Sequence, residues 1–249
     1  DYFNKQYVGE NAVVIVAGNT KDGSALKKIE KYFSPLRPGK SYGKGEVRDA
    51  QNHPAVLLHT KQTDQTHICL GARGFNLFDP RKYVAQLMAT VLGGGMSSRM
   101  FISVRERKGL VYYVSTICDS DTDTGSILTR AGIDNTKVEK AIATIVSEYK
   151  KIKRQKVSDS ELKKAKNYIR GKTYLGLEAS DDVAEFLGGQ EILENQILST
   201  EEILKHLESV TPKQVQGVAR EMFVPEHMNL ALVGPFEDKS KFEELIGEI

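Results

Sequence analysis

Residues 7-YVGENAVVIVAG-18 and 223-FVPEHMNLALVG-234 follow one pattern at a constant offset, and this repeat constrains the fold more than any other feature of the chain. Val8, Glu10 and Gly18 match Val224, Glu226 and Gly234, and the offset persists where Asp22 and Ser24 meet Asp238 and Ser240. Each copy reads as an aromatic residue, a turn, an apolar strand, a glycine and a helix. A unit that closes in this way twice implies two related modules. Residues 1–34 are then the closing strand and helix of a truncated first module, and most of that module lies upstream of Asp1. The stretch 34-SPLRPGKSYGKGE-46 has two prolines, three glycines and no apolar periodicity, so residues 35–46 read as a linker. Residues 47–249 form the second domain.

Within that domain, 55-AVLLHT-60 and 66-THICLGAR-73 read as strands, the latter with Thr66, Ile68, Leu70 and Ala72 on one face. Asp79-Pro80 predicts a helix start, an N-cap followed by proline, with the helix running to about Leu92. A short helix is expected from about Ser98 to Arg107, and Lys108-Gly109 turns the chain into strand 111-VYYVSTIC-118, partnered by 126-SILTRAGI-133. Val138, Ile142, Ile145, Tyr149 and Ile152 recur at helical spacing, and further helices fill about 159–176, 180–194, 199–208 and 212–222. Strands paired as hairpins and helices in a block predict an α+β fold, its sheet largely antiparallel with helices on one face.

Charge and cysteines exclude several function classes. With 35 basic and 33 acidic residues the chain is too balanced to mark a nucleic-acid or anionic-membrane partner. Cys69 and Cys118 stand far apart, outside any CxxC pattern, and read as small hydrophobes. No membrane span or signal peptide is evident; because the chain starts within a module this leaves the compartment unknown, with a soluble, cytoplasmic chain favoured. The three glycines Gly93, Gly94 and Gly95 are not followed by a lysine at phosphate-loop spacing. In 119-DSDTDTG-125 the glycine falls one place late for a calcium loop, and Arg130 stands where a bidentate glutamate belongs. His53, His59 and His67 lack a carboxylate in pattern, so no metal is assigned to them. The run Lys150, Lys151, Lys153, Arg154 and Lys156 suits a solvated helix end better than a nucleic-acid site.

The stretch 92-LGGGMSSRMFISVRERKGLVYYV-114 remains. Its glycines let a backbone pass close, since no Cβ intervenes. Its short helix presents Arg99, Arg105 and Arg107, and Tyr112 follows Arg105 by seven residues. A guanidinium and a phenol together are donors for a carbonyl oxygen or a developing oxyanion; on spacing alone, a surface arginine and a core tyrosine are the better explanation. Tyr113 falls on the opposite strand face by alternation.

This stretch resembles the signature of the C-terminal domain of M16 zinc metallopeptidases, the pitrilysin, insulinase and mitochondrial-processing-peptidase family, whose fold is the LuxS/MPP-like metallohydrolase type. The resemblance takes in 10-ENAVVIVAGN-19, 61-KQTDQTHICLG-71 and 223-FVPEHMNLALVGP-235 as well. It implies a zinc-dependent endopeptidase acting on unfolded peptides in a closed chamber. In the family zinc is held by an HxxEH helix of the first domain, and no HxxEH occurs here. The resemblance therefore implies that zinc belongs to the missing upstream domain, or to a partner chain in a homo- or heterodimer, and that this chain alone is inactive. It carries two roles onto this sequence: Arg105 grips the substrate backbone and Tyr112 hydrogen-bonds the oxyanion, with Gly93, Gly94 and Gly95 lining the substrate wall. A non-catalytic subunit paired with an active one is the alternative, and a nucleic-acid-binding module a weaker one.

Overall fold

The computed structural model describes residues 1–20, 23–40 and 42–249. Asp22, one half of a matched pair in the repeat, lies outside them, as does Ser41 of the connector. The chain groups into two compact units. The first gathers residues 1–47 with 170–204, and the second gathers 48–169 with 205–249.

In chain order the elements are helix α1 (Tyr2–Gln6), helix α2 (Ser24–Phe33), strands β1 (Ala55–Thr60) and β2 (Gln65–Arg73), helix α3 (Lys82–Gly93), and strands β3 (Val111–Ser120) and β4 (Gly125–Asp134). Helices α4 (Val138–Arg154), α5 (Asp159–Leu175), α6 (Ser180–Glu194), α7 (Thr200–Ser209) and α8 (Pro212–Met222) follow, then strand β5 (Met228–Gly234) and helix α9 (Ser240–Gly247). The five strands form one sheet in the order β1-β5-β2-β4-β3. Only β1 and β5 run parallel; the other three pairings are antiparallel, so the α+β class holds.

Alternation along the strands assigns the two faces of this sheet. Thr66, Ile68, Leu70 and Ala72 of β2 are buried, as are Ile127, Thr129, Ala131 and Ile133 of β4 and Leu230 and Leu232 of β5. Helices α3, α4 and α9 cover that face. Most residues between them, among them His67 and Arg130, are exposed or half-exposed, while Gly71 and Gly132 are buried, so the opposite face carries no helix layer among the described residues. Each fully buried aliphatic side chain contributes on the order of 1.5 to 3 kcal/mol.

Three hydroxyls sit inside this apolar layer. Thr116 of β3 bonds Thr129 of β4, Thr129 bonds the phenol of Tyr149 of α4, and Tyr149 donates to the Leu70 carbonyl of β2. Tyr149 also stacks on Phe223, the ring centroids 4.2 Å apart. A buried hydroxyl without a partner costs roughly 1 to 3 kcal/mol, so the chain is stable because every member is bonded.

Two sequence expectations differ from the structure. Asp79 does not cap α3 directly; its carboxylate accepts from the Arg81 backbone N–H and takes the Arg81 guanidinium, forming a turn before the helix. Residues 12–17 are extended but join no sheet among the described residues, with Val13, Val14 and Val16 exposed. An extended segment becomes a strand only when a neighbour accepts its N–H groups.

Gly93 ends α3 against β3. A Cβ there would lie 2.4 Å from both the backbone N and the hydroxyl of Thr116, whereas one on Gly95 would meet only the Tyr168 ring at 3.4 Å. Gly93→Ala is expected to destabilise the fold by about 2 kcal/mol or more and Gly95→Ala by less than about 1 kcal/mol, measured by urea unfolding. Equal effects would refute the packing account.

Arg99 and Glu161 tie the segment after the glycines to the start of α5. The guanidinium forks onto the carboxylate at 2.8 and 3.2 Å, and the Ser158 backbone N–H reaches the same carboxylate at 2.9 Å. Burial raises the Glu161 carboxyl, but the hydrogen bond from Arg99 and those from Ser158 outweigh it and hold the group at about 2, against an ordinary 4.5. A depressed carboxyl stabilises above its unfolded value and loses that contribution as pH falls toward its folded value. Wild type should therefore exceed Glu161→Gln by about 1 to 2 kcal/mol at pH 6, screening of this part-exposed group included. The gap should close between pH 4.5 and about 2. Unfolding midpoints across that range test it, and a pH-independent gap would refute it.

Candidate functional site

The stretch from Phe101 to Tyr113 departs from regular geometry at three places. Phe101–Glu106 form a π-helical turn in which Arg107 N–H bonds the Ile102 carbonyl at 3.0 Å. Gly109 then takes a left-handed φ of 55°, where a glycine has no Cβ to clash, and its N–H closes on the Arg105 carbonyl at 3.1 Å. Where β3 begins, a register shift between Val111 and Tyr113 leaves Tyr112 in a β-bulge. Wide helical turns and bulges both re-aim side chains at the cost of ladder hydrogen bonds.

Arg105 is exposed on the last turn of the π segment, its guanidinium 4.9 Å above the centre of the Phe101 ring. Among the described residues it has no ion pair. Tyr112 is 54% exposed and its hydroxyl has no hydrogen bond within the described residues. No hydrogen bond or ring contact joins the two side chains. Both are thus polar groups with unused donors held on irregular backbone. That arrangement suits contact with an oxygen supplied from outside.

Tyr113 does not behave as alternation predicts. The bulge breaks the period, and Tyr113 pairs in register with Gly132, whose lack of a side chain lets the tyrosine ring lie across β4. Its hydroxyl stands 3.1 Å from His67 Nδ1, and the two ring planes are inclined by 28° with their centroids 6.1 Å apart. His67 and Gly132 face each other in the β2–β4 register, so all three share the sheet face that carries no helix layer among the described residues. The sequence reading missed this pair. The strict alternation of β2 and β4 was the available signal, because it places His67, Arg130 and Gly132 together on that side.

The glycines lie against the helix-covered layer. Gly93 is buried on Thr116, Gly94 stands over Thr90, and Gly95 borders a small cavity of about 50 Å³ with Ser98, Glu161, Lys164 and Tyr168. The Ser98 hydroxyl is buried there without a protein partner. Cys118 is no nucleophile, since burial and then the neighbouring Asp119 charge push its thiol up to about 12. Among the described residues no three His, Cys, Asp or Glu side chains stand close enough to hold a metal ion. No helix among them is long and apolar enough to cross a membrane.

Comparison with known proteins bears on this geometry. The peptidase M16 inactive domain matches residues 1–169. A Bacillus subtilis protein named uncharacterized zinc protease YmxG is 32% identical over 94% of this chain and 56% of its own length. A protease from Helicobacter pylori superposes with a TM-score of 0.80 at 19% identity, over 88% of this chain and 54% of that one. A peptidase M16 inactive domain from Pseudomonas fluorescens does so with a TM-score of 0.76 at 18% identity, over 88% of this chain and 53% of that one. The chain spans about half the length of the curated relatives it matches. A domain match over most of the sequence and a zinc-protease relative at this identity agree: the chain belongs to the M16 peptidase family.

Proposed function

We propose that this chain is the C-terminal half of a zinc-dependent M16 endopeptidase, contributing substrate grip and oxyanion stabilisation to a reaction whose metal is held elsewhere. The observation that carries this reading is the pair of unengaged donors, Arg105 on a π turn and Tyr112 in a bulge, seven residues apart. The metal does not fit the described residues of this chain. It is assigned to an upstream M16 domain, of which residues 1–34 are the closing strand and helix. The chamber is completed by that domain or by a second M16 chain; Gly94 and Gly95 belong to the wall around it, whereas Gly93 is buried on Thr116 and supports the wall from behind.

The two side chains take different parts in the reaction. Arg105 donates to backbone carbonyls of an extended peptide, in the ground state and the transition state alike. The Tyr112 hydroxyl donates to the scissile carbonyl oxygen, and this bond strengthens as the carbon becomes tetrahedral and negative charge builds on the oxygen. The Phe101 ring under Arg105 holds the guanidinium without neutralising it, and Tyr112 stands exposed at the start of β3. Unfolded peptides are the substrates because an extended backbone presents its carbonyls singly.

Steady-state kinetics on a quenched fluorescent peptide, with this chain joined to its zinc-bearing half, tests the assignment. Tyr112→Phe is expected to lower kcat by about a hundredfold to a thousandfold with little change in KM, and Arg105→Ala to raise KM as well. If folded, zinc-loaded Tyr112→Phe keeps more than about a third of wild-type kcat, Tyr112 is not an oxyanion donor.

A further inference from the structure

We infer that Gly132 is a positioning residue for Tyr112: by admitting the Tyr113 ring across β4, it holds the bulge that turns the Tyr112 hydroxyl out of the core. The catalytic consequence of this rests on the peptidase reading; the geometry does not. The register of β3 shows what the bulge changes. Thr116 pairs with Thr129 and Val114 with Ala131, on the helix-covered face of the sheet. Continued in strict alternation, Tyr112 would stand under the helices opposite Ile133, and Val111 would turn away from them. Instead Val111 stands opposite Ile133 and is 8% exposed, while Tyr112 is the extra residue and is 54% exposed. The bulge thus puts a valine where alternation would put a tyrosine. An apolar side chain fills the apolar layer, and the phenol keeps its hydroxyl free.

Gly132 fixes where the extra residue falls. From Val111 to Tyr113 β3 advances by two residues while β4 advances by one, from Ile133 to Gly132, so the first residue after the bulge pairs with the glycine. The ring of that residue lies down across it: a Cβ at Gly132 would sit 2.5 Å from Cε1 of Tyr113 and 2.9 Å from its Cδ1. Beyond the glycine, the Tyr113 hydroxyl reaches Nδ1 of His67, which faces Gly132 from β2. One side chain therefore spans β3, β4 and β2 at the step where the ladder is interrupted. A glycine inside a strand marks such a close approach. A side chain in its place would lift the Tyr113 ring and, with it, the backbone next to Tyr112. Because a one-residue slip sends a side chain to the other face, a shift at Tyr113 changes the direction of the Tyr112 hydroxyl. All of these contacts lie within β2, β3 and β4.

Two readouts test this on the chain joined to its zinc-bearing half: the fluorine NMR resonance of 3-fluorotyrosine in place of Tyr112, and steady-state kinetics on a quenched fluorescent peptide. Gly132→Ala crowds the seat of the Tyr113 ring, and Tyr113→Ala empties it. Each is expected to shift or broaden the resonance and to lower kcat by about tenfold or more with KM within about twofold, since misplacing a reacting group by about 1 Å is enough for such a loss. Arg105 lies ahead of the bulge and keeps its grip. Tyr113→Phe retains the ring and should stay within about threefold of wild-type kcat. On Tyr112→Phe, Gly132→Ala should lower kcat by less than about twofold more, because residues that act through one group are not additive. If Gly132→Ala does not fold, Tyr113→Ala carries both readouts. A resonance that no folded variant moves, a wild-type kcat in variants where Tyr112→Phe lowers it, or a Gly132→Ala loss that recurs in full on Tyr112→Phe would each overturn the inference. The two readings also separate. A resonance that moves while Tyr112→Phe keeps wild-type kcat supports the hold on the bulge and removes the oxyanion role, whereas a costly Tyr112→Phe with an unmoved resonance does the reverse.

Discussion

Every functional position in the second unit depends on the hydroxyl chain from Thr116 through Thr129 and Tyr149 to the Leu70 carbonyl. It crosses three adjacent strands, β3, β4 and β2, and ties them to α4 at a point from which water is excluded. Apolar contact alone would let α4 slide along the sheet, because dispersion has no preferred direction. Hydrogen bonds do have one, and an unpaired member of this chain would be costly. Gly93 adds a second constraint at the same residue, since α3 approaches Thr116 so closely that no Cβ fits between them. The register of β3 against the helix layer is therefore fixed at Thr116, four residues from Tyr112.

A fixed β3 allows irregularity just before it. The π turn, the left-handed Gly109 and the bulge at Tyr112 follow one another within a short stretch, and each gives up regular hydrogen bonds. Such departures persist only where the surroundings over-determine them. Here Arg99 is forked onto Glu161 ahead of the π turn, and Thr116 is clamped after the bulge, so the segment is anchored at both ends. What projects from it is polar and unengaged. The same logic separates Tyr112 from Tyr113: one is lifted out of the ladder by the bulge, and the other lies flat over Gly132 and fastens a histidine.

Much of this was legible in the sequence. The alternation of Thr66, Ile68, Leu70 and Ala72 gave the buried face of β2, and Val138 to Ile152 gave the buried stripe of α4, because periods of 2 and 3.6 follow from backbone geometry. The motif around Arg105 and Tyr112 was visible through its likeness to a known signature. The bulge was not, because it is an insertion in one strand relative to its partner and exists only once the pair is formed. Nor was the π turn, whose side chains read as an ordinary helix. The His67–Tyr113 pair needed both the register of β2 on β4 and the absence of a side chain at Gly132, and no local pattern contains that combination.

The repeat shows how far a local pattern determines structure. Met228, Leu230 and Leu232 of the second copy are buried almost completely, flanked by β1 on one side and β2 on the other. Their counterparts at the same offset are Ala12, Val14 and Val16, and the two valines are 37% and 50% exposed in an extended segment that pairs with nothing among the described residues. Alternation and β-branched content are at least as strong in the first copy. What differs is the company. Burying one such side chain is worth roughly 1.5 to 3 kcal/mol, and a strand gains this only when neighbours supply both hydrogen bonds and an apolar layer. An apolar extended segment with the pattern of a central strand thus carries in its sequence the need for two flanking strands, and under the proposed reading those flanks belong to the metal-bearing domain.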